Sequence, residues 1–280
     1  MQWESLTGDQ FAEAVTSTQG VCLVPLSVVE RHAHHLPLGT DTYIGREICQ
    51  RAAQLEPVMI FPDFIFTMIF PDFIFTQILE ARHLPGTIAL DPDLILKLLD
   101  NVCREIARNG FKKIILFSSH GGNGSLAPFF AQTQLASPRD YVVYVANPRF
   151  EPEEAAALDA QWSTPVWDHA GESETSAILT IRPDLVHMDR ITPGEGEPQG
   201  RLKTLGDHGA YGDHGAYTAI WWYADHPTHY AGDGQPATRE KGELYLKTMA
   251  QALSRVVKTV KADKVSKRLQ DEFFAASQHG

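Results

Sequence analysis

Short apolar runs alternate with longer stretches in which apolar residues recur every three or four positions. Val21-Cys22-Leu23-Val24-Pro25-Leu26 is apolar throughout, as a strand buried on both faces requires, despite its proline. Thr40 and Asp41 then open a helix carried by Ile44, Ile48 and Ala52. A strand is predicted over residues 58–66. Asp91-Pro92-Asp93 has the chemistry of an N-cap and first turn for a helix over 94–107, and Asn109-Gly110 that of its stop. Residues 112–117, Lys-Lys-Ile-Ile-Leu-Phe, are the plainest buried strand, and 141–146 are another. Helices are predicted over 153–160, 172–181 and 239–260, and a strand over 217–223. Strands alternating with helices imply an α/β protein with a mainly parallel sheet covered on both faces. In such sheets ligands bind beyond the carboxyl ends of the strands.

Two exact repeats interrupt this pattern. Met59-Ile60-Phe61-Pro62-Asp63-Phe64-Ile65-Phe66-Thr67 recurs over residues 68–76, and Gly206-Asp207-His208-Gly209-Ala210-Tyr211 recurs over 212–217. Neither has the length or copy number of a solenoid repeat. Nine extra residues cannot all extend one strand without changing its register, so one copy is expected in the sheet and the other in an adjacent loop. The insertion is read either as a tolerated surface feature or as a Phe-rich remodelling of a nearby pocket.

Composition narrows the partners. With 280 residues, 43% hydrophobic, the chain can build one substantial core, and a single domain over 1–280 is expected. A formal charge of −11 argues against nucleic acid or an anionic membrane as the main partner. The N-terminal residues lack a secretory pattern, and prolines and aspartates interrupt the greasiest stretch, so a cytoplasmic protein without membrane spans is expected. Cys22, Cys49 and Cys103 are odd in number and widely spaced, as buried free thiols would be.

Three segments carry chemistry: Glu30-Arg31-His32-Ala33-His34-His35 with Asp41, Ser119-His120-Gly121-Gly122-Asn123, and His169-Ala170-Gly171-Glu172-Ser173-Glu174. Each sets imidazole or carboxylate beside an apolar run. Charges brought near a core need neutralising, and a divalent metal does this for mixed His/Asp/Glu sets. Glu30 and His32, two apart, can face one pocket. Asp41, at a helix start, can reach two ions. His34 and His35 are adjacent and should not both aim at metal, so His35 is assigned a supporting role. Gly121-Gly122 permits close backbone approach, and amides of residues 121–123 can face a developing oxyanion. His169 and Glu172 share a helical face, Glu174 projects elsewhere toward a buried salt bridge, and Asp168 can orient His169. Asp225-His226-Pro227-Thr228-His229 has metal-like content without a defined spacing and reads as a turn. Trp162, Trp167, Trp221 and Trp222 read as core or interface residues first and pocket walls second, with Trp167 taken as a substrate contact.

Together, Glu30-x-His32-x-x-His35-Leu-Pro-x-Gly-Thr-Asp41, His120-Gly-Gly-Asn123 and His169-Ala-Gly-Glu172-x-Glu174-Thr-Ser176 resemble the creatininase (creatinine amidohydrolase) family. His83-Leu84-Pro85-Gly86-Thr87 and the segment from Gly232 to Thr238 resemble that family's other motifs. The resemblance implies a three-layer α/β/α fold, a binuclear site for Zn, Mn or Fe, and hydrolysis of C–N amide bonds, in a chain that assembles as a homohexamer. Carried over by position, Glu30, Asp41 and His120 would hold one metal, and His32, Asp41 and a further carboxylate the other. In creatininase proper that carboxylate follows the strand-end His by two residues, where this chain has Gly122. Members of the Gly-Gly-Asn type use the Glu of His-Ala-Gly-Glu, here Glu172. His169 would carry the proton, and His83, Gly121, Gly122, Asn123 and Trp167 would contact substrate. The departures at Gly121 and Gly122 draw the substrate away from creatinine.

The resulting expectation is a hydrolase that uses metal-activated water on a small amide or imide, cyclic ones included. A formamide or short-peptide hydrolase of the same family is the enzyme alternative. A catalytically silent metal-binding assembly protein is the alternative of a different class.

Overall fold

In a computed structural model of the chain, residues 1–62, 64–65, 69–70, 75–164, 169–205 and 216–277 are described. The elements run α1 (Gly8–Ser17), β1 (Val21–Leu26), α2 (Thr40–Leu55), β2 (Met59–Ile60), β3 (Phe64–Ile65), β4 (Ile69–Phe70), α3 (Pro92–Arg108) and β5 (Lys113–Ser118). They continue with α4 (Asn123–Thr133), β6 (Val142–Val145), α5 (Pro152–Gln161), α6 (Glu172–Ile181), α7 (Trp221–Asp225), α8 (Arg239–Ala262) and α9 (Ser266–Ser277). The main sheet has the order β2-β1-β5-β6, and every pair is parallel.

The period of two along β1 divides the core. Val21 and Leu23 pack with Ile115 and Phe117 into a cluster that includes Ile44 and Ile48 of α2, Ile178 of α6, and Leu246 and Leu253 of α8. Cys22, Val24 and Leu26 join Ile114 and Leu116 in a second cluster with Leu99 and Ile106 of α3 and Phe130 of α4. The three layers expected of the chain are therefore present, and the sheet is buried on both faces. Cys22, Cys49 and Cys103 are buried and none is joined in a disulfide, as read from their spacing.

Pro25 is tolerated in a central strand for a local reason. Leu26 and Gly20 present their carbonyls to the β5 side, whereas Leu23 presents its own to Phe61 on the β2 side. By the same alternation Pro25 turns its missing N–H toward the β2 side, and β2 pairs only with Cys22 and Leu23. β2 ends there because Pro62 cannot extend the ladder. The predicted strand over 58–66 is thus cut to two residues.

The first repeat does not divide copy by copy as expected: the first copy is itself split between the main sheet and a ribbon shared with the second. Met59–Ile60 of the first copy sits in the main sheet, and Ile69–Phe70 of the second pairs antiparallel with Phe64–Ile65 in a separate two-stranded ribbon. Most of the second repeat, residues 206–215, lies outside the described residues. The strand predicted over 217–223 is absent; Trp221–Asp225 is a short helix instead. Its apolar residues flank the functional site rather than a sheet edge. Helices α1, α4 and α9 were not anticipated, although Thr7 and Gln10 form a capping box at α1 that the Thr-x-x-Gln spacing announces. Among the described residues no helix is long and apolar enough to cross a membrane.

Candidate metal centre

The carboxyl ends of β1 and β5 deliver the first residues. Past β1, Ser27, Val28 and Glu30 are buried, and the Glu30 N–H donates to Leu38 O at 3.1 Å and closes the loop that carries His32. Ala33 turns with φ +52° inside this loop. Asp41 lies in the first turn of α2, where the helix dipole favours a carboxylate. His120 follows β5, its N–H bonded to Ser118 Oγ at 3.1 Å.

These side chains converge although they come from separate elements. His120 Nδ1 lies 3.0 Å from Glu30 Oε1 and 3.2 Å from Asp41 Oδ2. Both oxygens are buried, and neither accepts a hydrogen bond. The other oxygen of Asp41, Oδ1, lies 3.3 Å from His32 Nε2. His32 in turn is 3.7 Å from Glu174 Oε2 and stacks on His169 with ring centres 4.2 Å apart. Asp41 therefore stands between two groups, Glu30–Asp41–His120 and His32–His169–Glu174, within each of which the ligand atoms lie within 4.8 Å of one another.

The electrostatics match a cationic occupant. Burial alone would lower His32, but Asp41, Glu174 and Glu30 outweigh it and lift the imidazole to about 9. Burial likewise opposes charge on His120, and Glu30 and Asp41 overcome it, so that this ring titrates well above its ordinary range. Glu30 is pushed up by burial yet held well below the usual carboxylate range by the charged His120 beside it and the hydrogen bond from His229. Carboxylates so concentrated that they charge buried imidazoles form a donor set a divalent cation would neutralise. Oxygen and nitrogen donors in this mixture suit Zn, Mn or Fe.

His169 behaves differently. Burial and the neighbouring His32 hold it well below the ordinary histidine range, so its ring is neutral near pH 7. Nε2 donates to Arg31 O at 2.9 Å, which leaves Nδ1 to accept a proton or a metal. The backbone of His169 exchanges two hydrogen bonds with Ala231, at 2.9 and 3.0 Å, pinning the start of α6 to the segment before α8.

The two glutamates of the third motif exchange their expected places. Glu172, assigned to the second metal, faces away: its carboxylate accepts from Ser163 N, Thr164 N and Thr164 Oγ1 at 2.7–2.9 Å and pairs with Lys241. Glu174, assigned to a buried salt bridge, is the one turned toward His32, with Ala170 N donating to it at 2.6 Å. The reason is the turn before α6, where Ala170 has φ +57° and helical phase begins only after Gly171.

Other expected contacts are engaged elsewhere. Asn123 is buried; its Nδ2 donates to Thr76 Oγ1 and Ser118 Oγ at 2.9 Å, its Oδ1 accepts from Gln77 N, and its N–H donates to His120 O. It ties the strand-end turn to the end of the duplicated segment. His83 joins Pro227 O at 2.9 Å and meets the Tyr223 ring edge-on. His35 is buried and reaches Thr175 Oγ1 at 2.9 Å, one residue from Glu174, while His34 is exposed beside Arg31 and Glu195. Nothing lies within 4 Å of a methyl placed on Gly121, whereas one on Gly122 would collide with His120 and Glu80. Trp167 and Asp168 lie outside the described residues.

Two participants lie in segments that the sequence reads first as something else, a turn and a core or interface aromatic. His229, read as part of a turn, does sit in one, yet its Nε2 is 2.5 Å from Glu30 Oε2. Trp222 presents its ring edge-on to His169 and donates Nε1–H to His229 Nδ1 at 2.7 Å. His229 is separated from Glu30 by 199 positions, so no local spacing could reveal the contact. Glu80, whose Oε1 is 3.9 Å from His120 Nε2, is a third neighbour without a motif.

Known proteins resemble this chain in sequence and in fold. The profile of the creatininase family, described as creatinine amidohydrolase, matches residues 4–257. The creatinine amidohydrolase of Pseudomonas putida is 23% identical over 262 residues, covering 90% of this chain and 94% of that protein. The mycofactocin precursor peptide peptidase of Mycobacterium ulcerans (strain Agy99) is 27% identical over 204 residues, 70% of this chain and 72% of its own. Among solved structures, a creatininase described as the Mn form matches with a TM-score of 0.71 and 21% identity over 94% of this chain and 99% of that one. A mutant creatininase of Zn-Zn type gives 0.69 and 20% over 94% and 98%. From the span of the profile match, the chain belongs to the creatinine amidohydrolase (creatininase) family.

Proposed function

We propose that this chain is a hydrolase of amide C–N bonds that works with two divalent cations. Glu30, Asp41 and His120 would hold one, and His32, Asp41 and Glu174 the other, with Asp41 shared. The observation that carries this reading is the meeting of two unpartnered buried oxygens, Glu30 Oε1 and Asp41 Oδ2, at His120 Nδ1. When bound, such cations polarise a carbonyl and lower the pKa of a water molecule so that hydroxide is available near neutrality.

The chain's own residues supply the rest. His169, neutral and held by Arg31 O, takes a proton through Nδ1 and returns it to the departing nitrogen, whose loss as an anion would be prohibitive. The burial of Glu30, His32 and Asp41 keeps bulk water from the reacting groups. Glu172 acts at a distance, fixing the 163–164 segment and Lys241. Gly121 leaves an open face on the strand-end turn.

The substrate is a small amide. Relatives named as peptidases, at identities no lower than that of the creatinine amidohydrolase, favour a linear peptide-like amide as a second reading. The test is reconstitution: chelated protein should be inactive, regain turnover with Mn²⁺ or Zn²⁺, and separate cyclic from linear amides on a substrate panel. His169→Ala should keep both cations and lose about 10²- to 10⁴-fold in turnover. Full activity in metal-free protein would end the proposal.

A further inference from the structure

His229 is buried at the last position of a turn with φ +59°, a conformation that side chains adopt at a cost and glycine adopts freely. The turn itself, closed by His229 N donating to His226 O at 2.9 Å, needs no imidazole. Non-glycine residues persist in this region when the surroundings hold them there, and such positions cluster at functional sites.

The ring is gripped from both sides. Trp222 Nε1–H donates to His229 Nδ1 at 2.7 Å, and an indole N–H is a donor only. Nδ1 must therefore accept, and the hydrogen of the neutral ring lies on Nε2, 2.5 Å from Glu30 Oε2. In this tautomer one nitrogen is engaged by indole and the other carries the hydrogen, so neither is open to a cation. Glu30, His169 and His229 also have ligand atoms within 4.8 Å of one another, but the tautomer removes that trio as a third cation site.

We infer that Trp222 and His229 form a positioning pair for Glu30: they hold Oε2 and leave Oε1 turned to the face it shares with Asp41 Oδ2 and His120 Nδ1. This rests on the reading of Glu30, Asp41 and His120 as a metal-holding set. Groups behind a metal ligand commonly tune affinity by 10- to 100-fold. The pair also backs His169, whose ring meets His229 at 4.3 Å and Trp222 at 5.7 Å between centres.

The test is titration of the chelated full-length chain with Mn²⁺ alone, counting bound ions and recording the melting temperature of each metal-free form. His229→Met fills similar space without a donor, and one of the two Mn²⁺ ions should bind 10- to 100-fold more weakly. His229→Gln restores an N–H and should recover to within a few-fold of wild type. Trp222→Phe keeps a ring without the donor and should weaken the same ion several-fold. Wild-type affinity in His229→Met overturns the inference, and so does a glutamine variant as weak as the methionine one. If His229→Met does not fold, Trp222→Phe decides alone. A wild-type chain that takes up no Mn²⁺ overturns the metal-centre reading together with this one, whereas two tight ions in every variant overturn only the positioning role.

Discussion

A methyl group added at Gly122 would lie 2.4 Å from His120 Nε2 and 2.7 Å from Glu80 Oε1. Glu80 can swing, but the buried His120 ring cannot move without leaving Glu30 and Asp41. Gly122→Ala should therefore lose one bound cation by elemental analysis, whereas Gly121→Ala, with open space around it, should keep two. The same measurement separates the glutamates of α6. Glu174→Gln should lose a cation with little change in metal-free stability. Glu172→Gln should retain both and destabilise the fold by about 2 kcal/mol, since it weakens a buried carboxylate's bonds to Lys241 and the 163–164 backbone. At this scale legibility followed distance along the chain. Glu30, His32, Asp41 and His120 sit in compact motifs, and their types and spacing announced them. The choice between Glu172 and Glu174 depends on where helical phase begins, which the left-handed Ala170 sets and no spacing rule encodes.

The loop after β1 and helix α6 meet at His35, whose imidazole burial lowers to about 4. In the unfolded chain its value returns to about 6.5. Between these values the unfolded state binds more protons than the folded one, so stability falls as pH drops from about 6.5 to about 4 and is fully present above that window. The loss is at most about 3 kcal/mol. Urea midpoints against pH should slope through this window in the wild type and flatten in His35→Gln. The duplicated segment belongs to this scale too. Ile60 pairs at the level of Leu23, and Thr76 Oγ1 donates to Ser27 O at 3.0 Å. Four strand residues separate those levels, about 13 Å. One repeat copy supplies seven residues from Ile60 to its own threonine, with a reach of about 23 Å. Deleting residues 68–76 should therefore leave a chain that folds within a few degrees of the wild-type melting temperature and binds both cations; a collapse of either would mean the second copy is structural. The strands β1, β5 and β6 were readable because they are short apolar runs. The residues taken for a strand over 217–223 misled because apolar side chains that wall a site look in sequence like those that fill a sheet.

For the whole molecule, the site draws on residues from 30 to 229, so every layer must be in place before it exists. Ligand that binds only the folded state stabilises it by mass action, about 4 kcal/mol at a thousandfold excess over the dissociation constant. Chelation should accordingly lower the melting temperature, and Mn²⁺ should restore it. The mutual pair of backbone bonds between His169 and Ala231 gives this coupling a local reporter. Those two amide hydrogens, 62 positions apart, are released by one opening event, since neither can be exposed while the other bond holds its strand in place. Their deuterium uptake should proceed at matched rates, and occupancy of the site should slow both together. Two exchange rates could then report metal loading without any substrate at all.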